Sequence, residues 1–155
     1  MADFGFNLKN RGIALRWGSG LLLFSLLLFY LLLNYSGFQS GYKLPPNVLS
    51  SFWSYLIYEL IIVNFIFFIH DFFFRGVIIS FFQKKFHYWS IIIQAGSYFF
   101  IILVTKSFSW EILPMILFSI TGGILAYKTK SFLYSYFMNI FAIIILDAYI
   151  IYLSK

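Results

Sequence analysis

The chain is a series of long apolar runs separated by short polar breaks at "NYSGFQSGYKLPPN", "QKKFH", "TKSFSW" and "KTKS". A hydrocarbon core about 30 Å thick takes roughly 20 helical residues to cross, and the runs between the breaks approach that length. The pattern predicts about five transmembrane helices, over residues 17–35, 48–74, 88–105, 110–127 and 132–153. Strands with free edges would leave backbone groups unpaired in lipid, so helices are the economical reading. The expected fold class is therefore all-α, a polytopic membrane bundle forming a single domain over residues 1–155. The first run, "LLLFSLLLFYLLL", is broken only by Ser25, and no small-x-small cleavage pattern follows it. It reads as a retained helix rather than a signal peptide. The next stretch, with Gly37, Gly41, Pro45 and Pro46, reads as a loop.

Composition fixes the solvent. Of 155 residues, 62% are hydrophobic and 10% charged, with a mean hydropathy of +0.90; too few polar groups remain to cover a water-soluble surface. The bilayer is the first expected partner. The net charge of +6 comes from eleven basic residues that lie between apolar runs. They form no stripe interleaved with exposed aromatics, which excludes nucleic acid as a partner. They orient the chain instead. With the N-terminus cytoplasmic (matrix or stromal in an organelle), Lys9, Arg11, Arg16, Arg75, Lys84, Lys85, Lys128 and Lys130 face inward, against Lys43, Lys106 and Lys155 outside. The loop "QKKFHYW" places Lys84, Lys85 and His87 beside interfacial Tyr88 and Trp89, a candidate contact for anionic lipid. Cysteine is absent, which excludes disulfides, thiolate metal sites and a cysteine nucleophile. His70 and His87 are too far apart in sequence for a metal-site motif, and no glycine-rich phosphate loop or serine-histidine-aspartate set is present, so no metal or cofactor is expected.

Several polar residues interrupt the apolar runs. Asp71 and Arg75 are four apart and share a helical face, as an ion pair requires. Asn64 and Glu59, further back on the same segment, extend this to a polar seam ending at His70. Ionisable groups within a membrane are functional candidates by default. In the alternative, Arg75 and His70 mark the cytoplasmic end of the segment, with Arg75 snorkelling to the head groups, and Glu59 fits either the interior or the opposite interface. Asn139 and Asp147, eight apart, could hydrogen-bond to a neighbouring helix, and Ser119, Gly122 and Gly123 make a face that admits close helix approach.

"HDFFFRGVIISFFQKKFHYW" resembles the first motif of the CPBP superfamily, the CAAX-protease and bacteriocin-processing intramembrane proteases also called Abi proteins, whose signature is Glu-Glu-x-x-x-Arg. The resemblance covers about residues 4–142, from "DFGFNLKNRG" to "GGILAYKTKSFLYSYFMNIFA". It implies that the paired glutamates fall on His70 and Asp71 while Arg75 matches. A second motif, Phe-x-x-x-His, falls on Phe99 and Leu103, and a third, His-x-x-x-Asn, on Asn139 and Ile143. Leu103 and Ile143 offer neither a base nor an oxyanion donor. Adjacent residues such as His70 and Asp71 diverge by about 100° on a helix and are not expected to hold one water together. The expectation is a pseudoprotease that binds a membrane-protein partner or a lipidated peptide, with Asp71 and Arg75 kept as a structural pair. Two alternatives stand beside it. One is an atypical active protease of prenylated or transmembrane peptides, with Asp71 or Glu59 as base and His70 as donor. The other is an accessory subunit of a larger complex, because "SWEILPMILFSITGG" resembles a stretch of mitochondrial cytochrome oxidase subunit three.

Overall fold

The computed structural model describes residues 5–105 and 109–153, and every regular element among them is helical. In chain order these are α1 (Arg11–Tyr35), α2 (Phe38–Gly41), α3 (Pro46–Ser50), α4 (Phe52–Phe86), α5 (Trp89–Thr105), α6 (Trp110–Thr129, its first turn 3₁₀) and α7 (Phe132–Leu153). Four of them, α1, α4, α6 and α7, are long and apolar enough to cross a membrane. The fifth expected crossing, α5, has 17 residues, about 25 Å at 1.5 Å per residue, and falls short of that length.

Two of the expected segments have other limits than the hydropathy reading gave them. Helix α1 begins at Arg11, because the two turns that Arg11 and Arg16 interrupt are helical as well. The segment expected over 48–74 is instead broken at Ser51, whose Oγ caps α4 by accepting from the Ser54 amide at 3.1 Å. From there α4 continues for 35 residues to Phe86. A buried charge does not end a helix, so "HDFFFRG" lies near the middle of α4 and not at its end.

Helix α4 has an unusual register. Tyr55, Glu59, Val63, Phe67, Asp71, Arg75 and Ile79, spaced every four residues, are all buried. An ideal α-helix drifts about 40° per four residues, so six such steps would carry the stripe about 240° around the axis. Two π-helical stretches, Tyr58–Val63 and Phe72–Ile79, prevent this: their wider i→i+5 turns wind the stripe back toward the bundle. Each π stretch carries one buried ionisable residue, Glu59 in the first and Arg75 in the second. Asn64 falls off this stripe. It is half-buried on the flank of α4, where its side chain accepts from the Tyr136 hydroxyl.

Helices α6 and α7 are the most enclosed of the long helices. Phe118 of α6 is fully buried, with Phe29 and Phe67 edge-on at 5.4 and 5.8 Å. The loop after α1 contains α2 and α3 and folds back over the bundle end, burying Phe38 and Tyr42. At the opposite end the N-terminal lead-in is tied to the α6–α7 turn. Asn7 and Asn10 donate to the Lys130 and Thr129 carbonyls at 2.9 and 2.8 Å, and Ser131 donates to the Gly5 carbonyl at 2.8 Å. The two asparagine bonds satisfy carbonyls that the end of α6 leaves free. Gly5 has φ +80° and its Cα approaches the Phe132 backbone so closely that a side chain there would be strained.

Candidate functional site

Two polar clusters lie inside the bundle. In the central one, Asp71 and Arg75 form an ion pair one helical turn apart, with exposures of 0% and 1%. Arg75 Nη2 also donates to the Phe118 carbonyl of α6, while its Nε has no acceptor. Asn139 of α7 donates to Asp71 Oδ2 at 3.0 Å. His70 Nδ1 lies 3.2 Å from Asp71 Oδ1; its ring packs on Phe74 at 4.8 Å and edge-on to Tyr98 at 4.7 Å, and Nε2 has no partner. The two neighbours expected to diverge therefore touch, at the junction between the α-helical and π-helical stretches of α4, through the near imidazole nitrogen and the carboxylate.

The approach of α6 to this cluster depends on its glycines. A Cβ on Gly122 would stand 2.7 Å from Arg75 Nε and Cζ, and one on Gly123 2.7 Å from Gln94 Oε1. Gln94 of α5 is fully buried, and neither side-chain polar atom has a hydrogen-bond partner.

The second cluster lies toward the other end. The buried Glu59 carboxyl sits against that of Asp147, and the Tyr42 hydroxyl donates to Asp147 Oδ1 at 2.8 Å. Burial, then the neighbouring Asp147 carboxylate, push the Tyr42 phenol far above its ordinary range, so it stays a donor. Neither Glu59 oxygen has a donor; a single proton between the two carboxyls would give each a partner. Of the two positions open to Glu59, the fold places it in the interior.

The motif positions separate. His70, Asp71, Arg75 and Asn139 come together, and Ile143 is buried one turn beyond Asn139 in the apolar core. Phe99 and Leu103 do not join them; they are 46% and 58% exposed, facing away from the bundle. The inward face of α5 is Ser90, Gln94, Tyr98 and Ile102. Tyr98 is thus the residue that meets His70. The spacing of Gln94 and Tyr98 within "IIIQAGSYFF" is the signal that could have found this face.

Arg75, expected among the inward-facing basic residues, is instead sealed in the bundle. The other seven cluster at the end formed by the lead-in, the α4–α5 turn and the α6–α7 turn, whereas Lys106 and Lys155 lie outside the described residues. Lys84 and His87 line a cavity at that end, Lys85 lies over the Phe86 ring, and Trp89 is 66% exposed.

Fold and composition together define the class, a multi-pass helical membrane protein. No protein-family model matches the chain, and no curated protein or solved structure matches it either.

Proposed function

We propose that this chain is a non-catalytic membrane protein, a CPBP-like pseudoprotease that binds a membrane-protein partner or a lipidated peptide. The observation that carries the reading is that Asp71 is fully engaged: Arg75, Asn139 and His70 all address its carboxylate, and the group is closed off from outside. General-base hydrolysis needs a carboxylate with a free lone pair facing water and a donor aimed at the oxyanion. Here the nearest inward group on α5 is the Tyr98 ring, packed edge-on against the imidazole. An apolar groove of about 530 Å³ runs between α4 and α5 over Phe73, Phe74, Ile78, Gly96 and Phe100. Phe74 separates it from His70. Such a groove, open toward lipid, suits a prenyl chain or a partner helix.

In this reading the chain crosses the membrane five times with its N-terminus cytoplasmic, and α5 spans by local thinning of the bilayer. Reporter fusions at the two termini test the topology, because an odd number of crossings places them on opposite sides. The function is tested with purified protein in liposomes holding a prenylated or transmembrane peptide. Photocrosslinking from position 100 to the peptide without cleavage is the expected result, and cleavage that disappears in Asp71→Ala would overturn it.

One observation favours the atypical active protease. His70 pairs with Asp71 through Nδ1 and leaves Nε2 free, the arrangement of an oriented imidazole base. Cleavage lost in His70→Ala but retained in Glu59→Gln would select this reading.

A further inference from the structure

We infer that the basic end of the bundle is a binding site for a phosphate-bearing anion, supplied by the head group of an anionic phospholipid. A cavity of about 750 Å³ opens there, lined among others by Lys9, Lys84, His87, Tyr88, Lys128 and Lys130. The four lysines come from the lead-in, α4, α6 and the α6–α7 turn, so this juxtaposition is created by folding.

Among the described residues their charge has no carboxylate counterpart. The chain holds five acidic residues. Among the described ones, Asp71 is committed to Arg75, Glu59 and Asp147 face each other toward the far end, and Glu111 accepts from the Lys43 amide there. Clustered ammonium groups without carboxylates repel one another, and an anion relieves that repulsion.

One of the four is also held in place. The Lys128 ammonium sits over the Trp17 ring at 5.0 Å and the Tyr88 ring at 5.3 Å. Aromatic faces hold a cation without cancelling its charge. The rim is unusual in its backbone too: the two non-glycine residues with positive φ among the described residues, His87 (47°) and Lys130 (56°), both line this cavity. Non-glycine residues adopt such angles uncommonly.

Depth argues for a lipid source. Tyr88 and Tyr127 line the cavity and Trp17 lies under its Lys128, and rings of this kind settle at the level of the head groups. Phosphate chemistry is shared by lipid head groups and by free phosphate, so both enter the test.

The purified full chain in non-ionic detergent is offered phosphatidylglycerol, phosphatidylcholine or inorganic phosphate, and retained adducts are read by native mass spectrometry. The expected result is a one-lipid adduct with phosphatidylglycerol that phosphatidylcholine does not give, weakened about fivefold for each of Lys84→Gln and Lys130→Gln. Both lysines are exposed, so these variants fold. Lys43→Gln, at the far end, leaves the adduct unchanged. Equal retention of the two lipids, or a preference that survives the double variant Lys84→Gln/Lys130→Gln, overturns the site. Binding of inorganic phosphate without phosphatidylglycerol overturns the lipid source. The site is separate from the central cluster, and neither outcome depends on whether the chain cleaves peptides.

Discussion

Asparagine at position 71 keeps the shape of the central cluster and removes its negative charge. Arg75, 1% exposed, then faces only the Phe118 carbonyl and a neutral amide. Taking one partner from a buried ion pair costs about 3–5 kcal/mol, because the other charge stays behind unpaired. Asparagine can still accept from Asn139, which donates at 3.0 Å in the wild type, so the expected loss for Asp71→Asn is near the lower end, about 3 kcal/mol. Arg75→Met leaves the carboxylate with Asn139 and His70 and costs about as much or less. In the double variant neither member of the buried ion pair is left without its partner, and the loss falls below the sum of the singles by at least about 2 kcal/mol. The assay is unfolding in a mild detergent titrated with a denaturing one, followed by the fluorescence of the four tryptophans. Additive losses, or an Asp71→Asn protein as stable as the wild type, would refute the structural role. A carboxylate kept for activating water should behave in the opposite sense, since catalytic groups commonly sit at a cost to stability and their removal relieves it.

Gly122→Ala drives a Cβ to within 2.7 Å of the immobilised Arg75 guanidinium and should destabilise by about 1–3 kcal/mol; Gly96→Ala, with nothing within 4 Å, should stabilise by about 0.5–1 kcal/mol through helix propensity, and the same titration compares them. Leu103→Ala, on the exposed face of α5, should change stability by less than about 0.5 kcal/mol, whereas Ile102→Ala, 3% exposed, should cost about 2–5 kcal/mol. The Tyr42 phenol is raised on folding from its ordinary value of 10.0. Its contribution is complete below that pH and is lost as pH climbs above it, so thermal scans should show alkaline destabilisation that Tyr42→Phe reduces.

Much of the fold is legible in the apolar runs. The last helix is found at the expected residues 132–153, and the turn before it falls within "KTKS". The errors follow from what hydropathy measures. It registers the solvent that a residue prefers, so the charged first turns of α1 and the buried Arg75 both look like boundaries although the helix runs through them. The site was half legible for a related reason. Asp71 and Arg75 are local to one helix, and a spacing of four suffices to pair them. Their meeting with Asn139 depends on how α4 and α7 pack. On α5 the inward stripe of Ser90, Gln94, Tyr98 and Ile102 lies one residue before Phe99 and Leu103, and a one-residue slip turns a helical position by about 100°. The motif correspondence therefore assigned to the chamber a residue that faces away from it.

The stripe on α4 goes further, because its every-fourth-residue repeat is visible in the sequence while the device that makes it work is not. Three steps of four residues, as on α5 from Ser90 to Ile102 or on α7 from Met138 to Ile150, stay within one broad face. Over the full stripe from Tyr55 to Ile79 they do not, unless the helix is underwound at intervals. The two underwound stretches carry Glu59 and Arg75, two of the three buried acidic or basic residues on the stripe, whose exposure to lipid would be costly. The coincidence points to tertiary burial of those two side chains as what holds the wider turns of α4 against the α-helical preference of the backbone. An alanine at either position would remove the reason for the wider turn, and the stripe beyond it should then rotate away from α6 and α7.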